Sequence, residues 1–175
     1  MQITQVIQGV YNPSAGPTYS VARLSDELHK SGEEASVLTL GCPPADWPYD
    51  TPLRIHSGFI ERKIGISTSL ARDLRELAKA PGILHGHGIW RITNLFPLWV
   101  GKDPRARVIW SPRGTMSAWS MQYKQLVKKP FWNLLQKPAL ERCHCFHATA
   151  PLEYDDIRRL GLRAPVAVIP NGVEI

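Results

Sequence analysis

Residues 3–40, ITQVIQGVYNPSAGPTYSVARLSDELHKSGEEASVLTL, decide the fold. The run from Ile3 to Gln8 reads as a short buried strand. A loop rich in Gly, Asn, Pro and Ser follows from Gly9 to Gly16, and Pro17 stands where the first turn of a helix accepts proline. Val21, Leu24 and Leu28 then recur at helical spacing, with Asp26, Glu27 and Lys30 on the other side, and Gly32 supplies the stop. Ala35 to Leu40 is a second strand. Strand, helix and strand in this order predict a parallel βα arrangement.

The alternation continues down the chain. A Pro-rich excursion from Cys42 to Pro52 leads to a short strand at Leu53 to His56. A helix over Ser67 to Ala80 carries Leu70, Leu74 and Leu77 on one face, and Pro81-Gly82 breaks it. Ile83 to Gly88 reads as a strand opening into a polar loop, and Asn94 to Val100 as a buried helix with Pro97 near its start. Val108 to Ser111 is a strand that ends in Pro112-Arg113-Gly114-Thr115. A basic helical region from Met121 to Arg142 is interrupted by Pro130 and Pro138. Cys145 to Ala148 is a strand, followed by a helix with Thr149 as its cap, Pro151 in its first turn and Gly161 at its end. Glu153, Asp155 and Asp156 complement that helix's positive end, and Arg158 and Arg159 its negative end. A last strand spans Val166 to Ile169. The expected fold class is α/β: a Rossmann-like, doubly wound, mostly parallel sheet of about six or seven strands with helices on both faces. It fills one domain over 1–169.

Composition narrows the function. At 175 residues and 43% hydrophobic, the chain is expected to build one full core. A formal charge of +6 favours anionic partners such as phosphorylated sugars, nucleic acid or an acidic membrane surface. Nucleic acid has only that net charge behind it, so none is expected. Cys42, Cys143 and Cys145 leave an odd thiol and no disulfide framework, and Cys143-His144-Cys145 crowds its ligands too closely for zinc, so no metal site is expected. The N-terminus lacks the basic and apolar regions of a signal peptide. A cytoplasmic protein fits, either soluble or peripheral at the inner face of the membrane.

In open α/β sheets ligands bind outside the carboxyl ends of the strands, and three loops leave such ends with unusual residues. The loop from Gly9 to Pro17 contains neither G-x-G-x-x-G nor a Walker A ending, which disfavours a dinucleotide oxidoreductase and a P-loop enzyme. Gly16 lets a backbone approach a ligand closely, and the helix start beyond it offers free N–H groups to an anion. A turn glycine accounts for it equally. In His85-Gly86-His87-Gly88-Ile89-Trp90, alternation puts His85 and His87 on the same side. Small glycines there leave room for a ligand, with His85 as a core histidine and His87 nearer the strand mouth. In the third loop Arg113 beside Gly114 suits bidentate capture of phosphate or carboxylate, and Trp90 or Trp119 can stack on a sugar face. The basic stretch 124–132, with Lys124, Lys128, Lys129, Phe131 and Trp132, reads either as a solvated helix face or as a peripheral contact with an anionic bilayer.

Taken in order, these segments resemble the N-terminal domain of a family 4 glycosyltransferase of the GT-B architecture. The carriers are the opening strand and glycine loop, His85 to Gly88, Pro112-Arg113-Gly114, the helix after Ala148-Thr149, and Ile169-Pro170-Asn171-Gly172-Val173, which resembles the linker between the two domains. The family usually places two adjacent glycines in the first loop, where this chain has Ala15 before Gly16. The resemblance implies retaining transfer of a sugar from a nucleotide-sugar donor to a hydroxyl, with no obligatory metal or further cofactor. The acceptor would be a saccharide or lipid-linked saccharide, as cell-surface polysaccharide synthesis needs. It implies donor phosphates near Gly16 and contact of His87, as a catalytic and donor-binding residue, with the transferring sugar. Trp90, Arg113, Gly114 and Trp119 would lie on the acceptor side. Residues 170–175 would begin the linker to a C-terminal donor-binding domain beyond this chain, leaving the 175 residues alone inactive. A stand-alone sugar- or nucleotide-binding module, or a subunit docking a separate catalytic partner, is the alternative.

Overall fold

The computed structural model describes residues 1–10, 16–45, 47–56, 65, 67–100 and 104–172. Seven strands form one sheet: β1 (Gln2–Ile7), β2 (Glu34–Leu40), β3 (Leu53–His56), β4 (Gly82–His87), β5 (Ala106–Ser111), β6 (Cys145–Ala148) and β7 (Val166–Val168). Their order is β3-β2-β1-β4-β5-β6-β7, and every neighbouring pair is parallel. The chain moves outward from β1 to β3, then returns across β1 to lay down β4. That reversal makes the β1/β4 boundary the topological switch point, where the mouths of adjacent strands diverge and leave a crevice.

Alternation along each strand sorts the two faces. On one, Ile7 and Val37 pack against Val21 of α1 (Gly16–Lys30). On the other, Val6, Leu38 and Leu84 pack against Leu70, Leu74 and Leu77 of α2 (Thr68–Leu77), and this larger core continues through Val108, Trp110 and Phe146. Ser67 caps α2, its hydroxyl accepting from Leu70 N–H at 3.2 Å. Helices therefore cover both faces, as the alternating pattern implies. Residues 11–15, including Ala15, and residues 173–175 of the expected linker lie outside the described residues, as does residue 46 of the Pro-rich excursion.

Four local expectations change. The segment after β4 is a 3₁₀ helix, Ile92–Leu98, with Pro97 inside it rather than near its start. The basic region divides into α3 (Ala118–Gln122), α4 (Gln125–Phe131), a π turn at Trp132–Gln136 and α5 (Lys137–Leu140). Its break falls at Lys124, whose φ of 54° turns the chain between α3 and α4, not at a proline. Pro130 stays within α4, and the ladder it cannot join widens into the π turn just after it. Finally, Thr149 does not cap α6 (Pro151–Arg159). The cap position is Ala150, and the Glu153 carboxylate reaches back to accept from the N–H and hydroxyl of Thr149 at 2.6 and 2.9 Å.

The fourth concerns Gly86. A Cβ there would lie 2.5 Å from the Trp110 ring and 2.7 Å from Phe96, so the space is already filled by the core and holds no ligand.

Candidate functional site

The sheet face that α1 covers carries a polar stripe toward the strand mouths. Gln5 of β1, His85 and His87 of β4, Ser111 of β5 and His147 of β6 share this face by strand alternation and register. The rings of His85 and His87 lie 4.3 Å apart between centroids, and His147 follows at 5.3 Å from His85. His87 is buried, and hydrogen bonds determine its tautomer. Arg113 Nε can only donate, and it points at His87 Nδ1 at 3.4 Å. Nε2 therefore carries the proton and donates to Gln5 Oε1 at 2.7 Å. Burial, with the charges of its histidine neighbours and Arg113, holds His87 well below its ordinary pKa, so the ring stays neutral. Burial likewise pushes His85 down to about 3. Among the described residues, its Nε2 and the Ser111 hydroxyl have no hydrogen-bond partner.

The Arg113 turn is pinned from below. Arg113 and Gly114 take φ of 55° and 74°, a left-handed pair that aims successive groups toward the crevice. Glu153 Oε1 accepts from Gly114 N–H while Oε2 accepts from Thr149, so one carboxylate joins the mouth of β5 to the mouth of β6. The guanidinium is largely buried yet faces the Glu153 charge, and Nη1 donates to Asn171 Oδ1. His147 Nε2 donates to the Ile169 carbonyl at 2.9 Å. Both contacts draw the segment 169–172 onto the strand mouths.

These groups line a cavity of about 690 Å³. One wall is α1, from Gly16 through Arg23 to Glu27; the other is Arg113, His147 and residues 169–172. A second cavity of about 190 Å³ is lined by Gly9, Pro17, Thr18, His87, Gly88 and Asn94. Gly16 and Arg113 thus share one cavity, and His87 lies behind Arg113 at the edge of the next. Among the described residues, a Cβ on Gly16 would meet nothing within 4 Å.

Trp90 and Trp119 are placed differently. Trp90, at φ 77°, lies over the π turn; its indole donates to Thr115 O at 3.1 Å, and the Lys128 ammonium sits 4.4 Å from its ring centroid. Trp119 is exposed on α3, stacked on Tyr123 at 5.8 Å, and lines neither cavity. Sequence reasoning missed Gln5, His147, Asn94 and Gln136. Asn94 Nδ2 donates to the carbonyls of His87 and Gly88 at 2.8 Å each, and Gln136 binds Asn94 in turn, stapling the β4 loop. His147 was findable as another odd-numbered histidine at a strand mouth; Gln136 gave no signal.

A family profile described as glycosyl transferase 4-like domain matches residues 15–172. No curated protein matches the chain. The matched span contains both cavities' polar walls apart from Ile7 to Gly9.

Proposed function

The chain belongs to the glycosyl transferase 4-like domain family, and from that premise we propose that it is the acceptor-side half of a retaining glycosyltransferase using a nucleotide-sugar donor. Glycosyl transfer in general is the family's chemistry; the donor class, the retaining course and the acceptor are this proposal's own. The observation that carries it is the 690 Å³ cavity, which Arg113 and the start of α1 at Gly16 line together. A diphosphate between them would meet a fixed cation on one side and the first turn of α1 on the other. When the bond from sugar carbon to phosphate oxygen breaks, negative charge collects on the diphosphate, which is where fixed positive groups lower the barrier most.

His87 serves this arrangement without changing charge. Its neutral ring accepts from Arg113 and donates to Gln5, which steadies the guanidinium, and its edge faces the cavity that would hold the transferring sugar. The acceptor, a saccharide or lipid-linked saccharide, would approach by way of Gly114 and Trp90, with Trp119 further out. Residues 169–172 line the same cavity and Asn171 accepts from Arg113; read as the start of a linker, they would let a second domain close over the donor.

Calorimetric titration of the chain with inorganic pyrophosphate, UDP, ADP and GDP tests this. At least one should bind, and Arg113→Ala should weaken binding by about tenfold or more, the scale of a charge-assisted pair. Gly16→Ala should weaken it too while leaving the melting temperature in place. Unchanged affinity in both variants, or no binding at all, would sink the proposal. Turnover at enzyme-like rates by the 175 residues alone would overturn the half-site part.

A further inference from the structure

The rod formed by α4, the π turn and α5 is amphipathic the wrong way round for a soluble surface. Lys128, Trp132 and Gln136, at i, i+4 and i+8, face inward: Trp132 and Gln136 are buried, and Lys128 packs over Trp90. On the opposite side Leu126, Val127 and Leu134 are 94%, 75% and 74% exposed, with Pro130 between them. Beside this stripe, α3 adds Trp119 at 75% exposure, stacked on the exposed Tyr123. Three of the four most exposed of these side chains are large aliphatics that gain nothing from water.

The charges around the stripe have one sign. From Gly114 to Leu140 the sequence contains Lys124, Lys128, Lys129 and Lys137 and no Asp or Glu. Lys124 and Lys129 are exposed on either side of the apolar stripe. The geometry points to a docking face for an anionic lipid surface, with Leu126, Val127, Leu134 and Trp119 entering the headgroup boundary and Lys124 and Lys129 meeting lipid phosphates. A soluble polyanion would satisfy the lysines and leave the aliphatics wet. A second copy of this face would bring like charges together around the stripe. A membrane surface answers both halves of the pattern. Among the described residues no helix is long and apolar enough to cross a membrane, so the contact is with the surface of the bilayer.

The face adjoins the candidate site, since Lys128 and Phe131 pack on Trp90 at the end of the β4 loop. Docking would therefore bring the proposed acceptor side to the lipid plane, although the inference stands without the transfer reading because lipid binding is assayed on its own.

Co-flotation with phosphatidylglycerol–phosphatidylcholine vesicles and with pure phosphatidylcholine vesicles tests it. The chain should float with the first and not the second, and added salt should release part of it. Lys124→Gln with Lys129→Gln should weaken partitioning roughly twenty-fivefold, at about fivefold per lysine. Leu126→Asp with Leu134→Asp should abolish it. All four positions are exposed, so circular dichroism melts of these variants should match the parent, which separates lost docking from lost folding. Quenching of Trp119 by brominated lipid, absent in Trp119→Phe, would fix the depth. Absent flotation, equal flotation of the variants, or a dimer in ultracentrifugation that Leu126→Asp dissociates would overturn the inference.

Discussion

Glu153 shows how one side chain can support a site it does not enter. Its two carboxylate oxygens accept from Gly114 N–H on one side and from Thr149 N–H and Oγ1 on the other, so the Arg113 turn and the start of α6 share a single anchor. The carboxylate is buried, and an acceptor removed there strands backbone N–H groups away from water. Glu153→Gln keeps the shape and loses the charge, turning a donor amide toward one of those N–H groups. We expect it to cost about 1–3 kcal/mol of stability and to weaken pyrophosphate binding, because Arg113 loses the turn that aims it. Urea denaturation and calorimetry on the same variant read the two effects. A variant with parental stability would show that Glu153 anchors nothing.

Strand β4 carries two duties on two faces, and that explains what the sequence could and could not reveal. Its odd positions His85 and His87 look into the polar stripe, while Gly86 looks into the core against Trp110 and Phe96, whose rings are 5.1 Å apart. Strand alternation made the histidine pair legible at once. The reason for Gly86 was not, since only the packed rings reveal that the hydrogen is needed. Gly86→Ala should cost about 1–3 kcal/mol by overpacking, and Phe96→Leu in the same chain should recover part of it. A melting temperature unmoved by Gly86→Ala would refute this reading. The same divide runs through the other elements. All seven strands were readable from short apolar runs, and α1, α2 and α6 from periodicity and their glycine or proline ends. What escaped depended on side-chain partners and backbone angles that periodicity does not encode: Glu153 replacing Thr149 at α6, Gln136 on the π turn holding Asn94, and the left-handed Lys124 that divides the basic helix. In the site, Gly16 and Arg113 were legible from loop chemistry. The Arg113–His87–Gln5 chain was not, because it spans three strands whose adjacency exists only once the sheet order is known.

For the molecule as a whole, the polar stripe makes folding sensitive to acid. His85 and His87 are held neutral by burial, with folded pKa values below the ordinary 6.5, His85 at about 3. The unfolded chain then binds more protons than the folded one whenever the pH lies below 6.5, so stability must fall as the solution is acidified. The contribution of these histidines is complete above pH 6.5 and is lost progressively as the pH falls, for His85 down to about pH 3. Each buried histidine costs about 1.4 kcal/mol per pH unit within that window. His147 is shifted the same way, chiefly by burial, and adds a smaller share because its Nε2 is tied to the Ile169 carbonyl and its environment is more open. Urea unfolding at pH 7, 6 and 5 should therefore show the midpoint falling steadily, before ordinary carboxylates begin to titrate. His85→Leu removes one of the two principal proton acceptors and should cut that slope by close to half, while Ile55→Leu on the far edge strand should leave it unchanged. A stability curve flat from pH 7 to 5 would mean that the stripe is already protonated, or open to water, in the folded molecule. Then the neutral His87 that positions Arg113 would have to be abandoned along with it.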